Sequence, residues 1–274
     1  MTVVSAVQFS SIDELPAADY SKLKFGSRHS ARKLGRQLAD AIFEQHYDLL
    51  LSTDCVIIPS PYNYVANAAT LLTRAVVEEL NRKIVAVNGN SVSYSVVHRH
   101  VSYTANYGAL PKDARMRLLS GDQFFFNAEY LAGKTVIFID DVKITGTHEE
   151  RIKIELSRTN LKLGHVIYAY YAEYFGTRPE IEAELNTQLI NSPAALVHMW
   201  TTEPCDVVVR TIKLLLSQPA EQVASIVQQL PPAAVEAIYA GALGEQYHKI
   251  PGYQAALMAI GWHVDDSTVT FEEQ

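Results

Sequence analysis

The sequence predicts an α/β protein built on a mainly parallel, doubly wound sheet, with a C-terminal helical appendage. Three observations lead there. Between Ala31 and Ala172, apolar runs rich in β-branched residues alternate with segments of helical periodicity, the order expected when helices cross over a parallel sheet. From about Cys205 this alternation gives way to helical segments separated by Gln218-Pro219, Pro231-Pro232 and Gly241 to Gly244. Between Thr135 and Ser157 a strand, two carboxylates, a short loop and a helix follow one another, a unit that sets polar groups at the carboxyl edge of such a sheet.

Taken in order, the first helix is expected over Ala31 to His46, where Leu34, Leu38 and Ile42 recur every fourth residue, with Ser30 as N-cap. Cys55 to Ile58 reads as a strand stopped by Pro59-Ser60-Pro61, and Ala66 to Asn81 as a helix carrying Leu71, Leu72, Val76 and Leu80. Lys83 to Val87 is expected to be a further strand, broken by Asn88-Gly89-Asn90, and Ser93 to Tyr103 an alternating edge strand. Thr104 to Gly133 is irregular and holds Tyr107, Lys112, Arg115, Arg117 and the run Phe124-Phe125-Phe126. A βαβ unit follows: strand Thr135 to Ile139, helix Gly146 to Ser157, strand His165 to Ala172. Ala194 to Met199 is expected to add one more strand. Residues 1–204 then form the sheet domain and residues 205–274 the appendage.

Bulk properties narrow the function. Of 274 residues 48% are hydrophobic, enough for a sizeable core and too many for a disordered chain. A formal net charge of −7 argues against a protein that coats nucleic acid or anionic membrane through a basic surface. Cys55 and Cys205 have no paired spacing, so neither a disulfide framework nor a cysteine zinc site is expected. The first residues lack a basic start followed by an apolar run, and no stretch approaches membrane-spanning length. The expectation is a cytoplasmic protein, with no nucleic acid and no membrane among its partners.

The chemistry concentrates in Gly133 to Thr147. Asp140 and Asp141 come at the carboxyl end of an apolar strand, where open α/β sheets bind ligands. Adjacent carboxylates suit a pair of vicinal hydroxyls, and one can also reach Mg²⁺ directly or through water. Lys143 to Thr147 then offers successive backbone N–H groups, Gly146 permits close approach, and the helix start adds partial positive charge. With hydroxyls from Thr145 and Thr147, the segment can hold a sugar by its diol and its phosphate together.

Val-Ile-Phe-Ile-Asp-Asp-Val-Lys-Ile-Thr-Gly-Thr, residues 136–147, resembles the 5-phosphoribosyl-1-pyrophosphate (PRPP) motif of the type I phosphoribosyltransferases. The resemblance implies that family's fold. It also implies Mg²⁺-dependent transfer of the 5-phosphoribosyl group to a nitrogenous, base-like acceptor in nucleotide metabolism, with release of pyrophosphate. By the same resemblance Asp140 and Asp141 grip the ribose hydroxyls and the metal, and Lys143, Ile144, Thr145, Gly146 and Thr147 bind the 5′-phosphate. Ser60, Pro61 and Tyr62, within Ile58 to Tyr64, lie where the family keeps its pyrophosphate loop. Arg99, or Arg115 and Arg117 in a segment that closes over the site, would neutralise the leaving group. Asp140, Asp141 and Arg99 are therefore the catalytic candidates, and a homodimer is usual in the family. Ile144 and His148 depart from the pattern, where a small or hydroxyl residue is usual. From Phe25 to about Asn191 the chain is also similar to phosphoribosyltransferases of bacterial tellurium-resistance and stress gene clusters. The features shared are Phe25-Gly-Ser27, Ser60-Pro-Tyr62, Asp141 and Thr145-Gly-Thr-His-Glu149.

Competing readings have less support. An apolar strand ending in Asp-Asp also suits a nucleotide hydrolase, but the chain has no GxxxxGK[ST] loop to partner it. A non-catalytic sensor or assembly subunit that binds PRPP or a nucleotide is the alternative that Ile144 and His148 leave open. His98 and His100 share a strand face without an evident third zinc ligand. Lys22, Lys24, Arg28, Arg32, Lys33 and Arg36 read as a solvated helix face bordering an anionic ligand, and Trp200 and Trp262 as packing residues. The acceptor is not legible.

Overall fold

The computed structural model describes residues 2–99, 124–159 and 161–269. The first part runs β1 (Thr2–Phe9), α1 (Ala17–Lys24), α2 (Arg28–Gln45), α3 (Tyr47–Ser52), β2 (Cys55–Pro59), α4 (Ala68–Ala86), β3 (Ser93–Tyr94) and β4 (His98–Arg99). From residue 124 it continues with β5 (Phe124–Phe125), α5 (Ala128–Leu131), β6 (Thr135–Lys143), α6 (Thr147–Arg158), β7 (Val166–Tyr174) and α7 (Ile181–Asn186). A helical layer follows: α8 (Pro193–Thr202), α9 (Val209–Leu216), α10 (Ala220–Val227), α11 (Pro232–Gly244) and α12 (Gln254–Val269).

Five strands form one sheet in the order β1-β7-β6-β2-β3, each parallel to its neighbours. β6 and β7 lie inside it and are covered on both faces, which is why they read as unbroken apolar runs. Alternate residues of β6 serve different cores. Ile137 and Ile139 pack with Leu34, Leu38 and Ile42 of α2 and Leu72 and Val76 of α4. Val136 and Phe138 pack with Ile152 and Leu156 of α6, and the Phe138 ring stacks on Tyr168 at 5.7 Å. The chain therefore leaves β2 through α4 on one face and β6 through α6 on the other, so β2 and β6 flank the point where the winding reverses.

The helical layer has its own core, in which α8 supplies Leu196, Met199 and Trp200, and to which Phe25 and Val65 reach across from the sheet side. Backbone bonds tie the two together: Arg28 N–H to Pro204 O at 3.0 Å and Asp206 N–H to Gly26 O at 2.9 Å. The buried Glu245 adds to this, its Oε1 accepting from Val65 N–H at 2.7 Å and Tyr64 N–H at 3.0 Å. Among the described residues no helix is long and apolar enough to cross a membrane.

Several expectations require correction. Lys83 to Val87 is the last turn of α4, not a strand, because Val76, Leu80 and Ile84 continue one buried stripe while Val85 and Val87 are exposed. Ala194 to Met199 lies inside α8, which Ser192 caps by accepting the Ala195 N–H and Pro193 opens. The cap of α2 is Ser27, whose Oγ accepts from Ser30 N–H at 3.1 Å, and Ser30 sits buried within the first turn. β1 was not anticipated, and Trp262 is 64% exposed. Of the Ser93 to Tyr103 strand, β3 and β4 are the described parts; Tyr107, Lys112, Arg115 and Arg117 lie outside the described residues.

Gly35 on α2 marks the close crossing with α4. A Cβ there would stand 2.7 Å from the Ala75 Cβ and 3.2 Å from Leu72 O. Gly-to-Ala in a helix interior ordinarily stabilises by about 1 kcal/mol. Here overpacking outweighs that gain, and Gly35→Ala is expected to destabilise by about 1–3 kcal/mol in urea melts. An unchanged or raised unfolding midpoint would contradict the tight crossing.

Candidate functional site

A cavity of about 420 Å³ opens at the carboxyl ends of β2 and β6, between the sheet and the helical layer. β6 does not stop at its carboxylates, as the sequence pattern suggested. Its pairing with β2 ends at Ile139 opposite Pro59, while its pairing with β7 continues through Asp140↔Tyr170 and Val142↔Ala172 to Lys143↔Glu173. Asp140 and Asp141 are thus held in strand geometry along one edge and border the cavity along the other.

Consecutive strand residues project to opposite faces. Asp141, nearly buried, meets Lys24 at the end of α1, with Nζ 2.5 Å from Oδ2. Asp140 lies on the α6 side, its Oδ2 3.4 Å from His148 Nδ1. Each carboxylate also accepts from the next amide: Asp141 N–H to Asp140 Oδ1 at 3.0 Å, and Val142 N–H to Asp141 Oδ1 at 2.8 Å. Burial and the adjacent Asp141 charge push the Asp140 carboxyl up to about 7, against the pull of Lys24, the Asp141 amide and a hydrogen bond from Ser60. The ordering of the pair follows: Asp141 has the ammonium and Asp140 holds a proton near neutrality.

The turn after β6 is opened by Gly146, at φ +69° in the left-handed region, where it caps α6 without a side chain. No protein acceptor among the described residues takes the backbone N–H groups of Thr145, Gly146 or Thr147. The Thr145 and Thr147 hydroxyls are 2.8 Å apart, and the whole turn from Lys143 to Thr147 lines the cavity. The Lys143 ammonium is engaged by two carboxylates, Glu149 Oε2 at 3.1 Å and Glu173 Oε1 at 3.0 Å. Glu149 also accepts from the Tyr170 hydroxyl at 3.1 Å. Burial raises the Glu149 carboxyl, but Lys153 and Lys143 outweigh it and leave its pKa lowered. Lys143 therefore braces the turn.

Of the expected pyrophosphate residues, Ser60 and Arg99 line the cavity, whereas Pro61 and Tyr62 are not among its lining residues. Tyr62 acts one step back: its carbonyl accepts the Arg99 N–H at 3.0 Å and so sets the position of β4. His98 pairs edge-on with the Tyr62 ring at 6.1 Å, and its supposed partner His100 lies outside the described residues. No group of three or more metal-binding side chains occurs among the described residues.

The cavity also holds residues that sequence reasoning passed over. Arg210 and Lys213 of α9, with Tyr253 beyond α11, form the wall that faces the sheet. The signal was the amphipathic pattern of Val209–Leu216, buried at Ile212, Leu215 and Leu216 and basic between them. Lys24 was anticipated only as part of a basic helix face.

The fold is the parallel α/β arrangement of the type I phosphoribosyltransferases, with a helical layer added after β7. A family model described as PRTase ComF-like matches residues 5–260, and the chain belongs to that family. Similar solved structures include a hypoxanthine phosphoribosyltransferase from Staphylococcus aureus, 13% identical, with 52% of this chain and 73% of that chain covered and a TM-score of 0.32. The L. donovani hypoxanthine-guanine phosphoribosyltransferase is 10% identical, with 58% and 76% covered and a TM-score of 0.37. A hypothetical protein from Neisseria gonorrhoeae with bound ppGpp is 12% identical, with 60% and 95% covered and a TM-score of 0.33. No curated protein matches the chain.

The raised Asp140 carboxyl has a measurable consequence. Its value of about 7 exceeds the ordinary 3.8, so between those limits the folded chain holds a proton that the unfolded chain has released. Stability from this group therefore falls as pH rises through that window and is level above it. Asp140→Asn should gain on the parent by as much as about 4 kcal/mol between pH 4 and pH 8 in paired urea melts. A pH-independent difference would show that Asp140 ionises normally.

Proposed function

We propose that this chain is a PRPP-dependent phosphoribosyltransferase, moving the 5-phosphoribosyl group to a nitrogenous acceptor with release of pyrophosphate. The observation that carries this reading is the presence in one cavity of the Thr145 to Thr147 turn, whose amides have no acceptor among the described residues, and of the two carboxylates of β6. The family supports a PRPP-related reading, and the cavity lining is compatible with the roles proposed here.

The amides and hydroxyls of Thr145 to Thr147 receive the 5′-phosphate, and the α6 N-terminus adds its partial positive charge. Asp140 and Asp141 accept from the ribose hydroxyls, Lys24 orienting Asp141 through their ion pair. Two carboxylates fit Mg²⁺ when substrate oxygens and water complete its shell, so Asp140 and Asp141 are the residues that would hold it. When bound, that ion supplies charge neutralisation for the departing pyrophosphate. On this reading Arg99 and Ser60, which line the cavity, would meet the charge of the leaving group, and Asp140 in its ionised form would take up the proton released by the acceptor nitrogen. No covalent nucleophile is needed; holding the acceptor in line with the ribose is the main contribution.

A second reading is favoured by the Lys24–Asp141 ion pair and by His148 beside Asp140, which together occupy the diol-gripping groups. On that reading the chain binds PRPP or a nucleotide as a sensor without turnover. Pyrophosphate release from PRPP and Mg²⁺ across a panel of nitrogen acceptors separates the two. For binding itself, Asp141→Asn should weaken PRPP by tenfold to a hundredfold in calorimetry, the loss of one charge-assisted bond worth about 1.5–3 kcal/mol. A folded variant that binds PRPP as the parent does would end the assignment.

A further inference from the structure

The two carboxylates of β6 are not equivalent. Asp141 Oδ1 accepts the Val142 N–H at 2.8 Å, and Asp141 Oδ2 has the Lys24 ammonium at 2.5 Å. Both side chains of this pair are nearly buried, Lys24 at 12% exposure and Asp141 at 7%. No ammonium among the described residues touches Asp140. Its neighbours are the His148 imidazole, a hydrogen bond from Ser60 and the Asp141 N–H, and the Lys24 charge reaches it only across space.

Lys24 is also held from behind. It is the last residue of α1, and its ammonium stands 5.6 Å from the ring centroid of Tyr20, one turn earlier and fully buried. The chain just past it is tied down by Ser27 N–H to Lys22 O at 3.0 Å and by the Phe25 carbonyl, which accepts the Thr211 hydroxyl at 3.0 Å. Withdrawal of Lys24 would strip a buried carboxylate of its counter-ion, a far larger cost than opening an exposed pair.

A divalent cation taking Asp141 Oδ2 would stand one oxygen away from that ammonium, and like charges so placed repel strongly where water is scarce. At Asp140 the ion meets an imidazole and a hydroxyl, neither of which carries an obligatory charge. We infer, on the reading of the pair as a grip for cation and diol, that Lys24 divides the work of the two carboxylates: as resident counter-ion of Asp141 it turns a divalent cation away from that residue and onto Asp140, and keeps Asp141 for the sugar hydroxyls. Lys24 is thus a positioning residue. It supplies at one carboxylate the positive charge that the ion supplies at the other.

Mn²⁺ binding to the full chain tests this, read from the electron paramagnetic resonance of the free ion at pH 8, above the Asp140 value of about 7. Asp140→Asn should weaken Mn²⁺ by at least about tenfold. The double variant Lys24→Met with Asp141→Asn removes the buried pair as a unit, so no charge is left unpaired. It should hold Mn²⁺ within about threefold of the parent while its ribose 5-phosphate affinity falls. Lys24→Met alone should tighten Mn²⁺ by at least about tenfold, a gain that loss of a merely structural contact does not produce, and Lys24→Arg should behave as the parent. Adding Lys24→Met to Asp140→Asn should recover the binding that Asp140→Asn lost, because Asp141 is then open to the ion. Removal of the pair that weakens Mn²⁺ as much as Asp140→Asn does overturns the inference. So do an unchanged Mn²⁺ affinity in Lys24→Met, no Mn²⁺ binding by either the parent or Lys24→Met, and ribose 5-phosphate affinity that survives removal of the pair. Failure of PRPP to bind the parent while the Mn²⁺ pattern holds would instead sink the transferase reading and leave the division of the carboxylates standing.

Discussion

The unequal pairing of β6 is the constraint on which the site depends. Against β2 the ladder ends at Ile139, because Pro59 and Pro61 cannot donate and the Ser60 amide is spent on Ile139 O. Against β7 it runs four residues further, from Asp140 to Lys143. One edge of the carboxylate segment is fixed by the β7 ladder, and the other borders the cavity. A strand that ended with its apolar run would leave both aspartates on a mobile loop.

Charge is arranged around that edge so that burial is tolerated. Asp141 is satisfied by Lys24, and Lys143 by Glu149 and Glu173. Asp140 receives a weaker share, and burial beside Asp141 raises it instead. Buried carboxylates without a full counter-ion neutralise by holding a proton.

The helical layer is part of the cavity and not a separate attachment. Glu245 of the tail holds the backbone after β2, and Thr211 holds the end of α1, so both walls are fixed by long-range bonds. α9 can therefore bring Arg210 and Lys213 into the same cavity as Asp140 and Asp141, which lie about seventy positions earlier in the chain.

Local signals in the chain were enough for the parallel α/β class, for the strand-turn-helix at Thr135 to Arg158, and for setting Asp140, Asp141 and the Lys143 to Thr147 turn at the carboxyl edge of the sheet. These depend on periodicity, on Gly146 and on apolar runs, all properties of neighbours in sequence. Lys83 to Val87 and Ala194 to Met199 misled because β-branched and apolar runs are ambiguous until the buried stripe is known. Lys24 opposite Asp141, the halt of β2 against Ile139 and the basic wall of α9 were decided only by tertiary packing. No local pattern encodes which distant element a charged helix face will meet, since the partner is chosen by how the cores close.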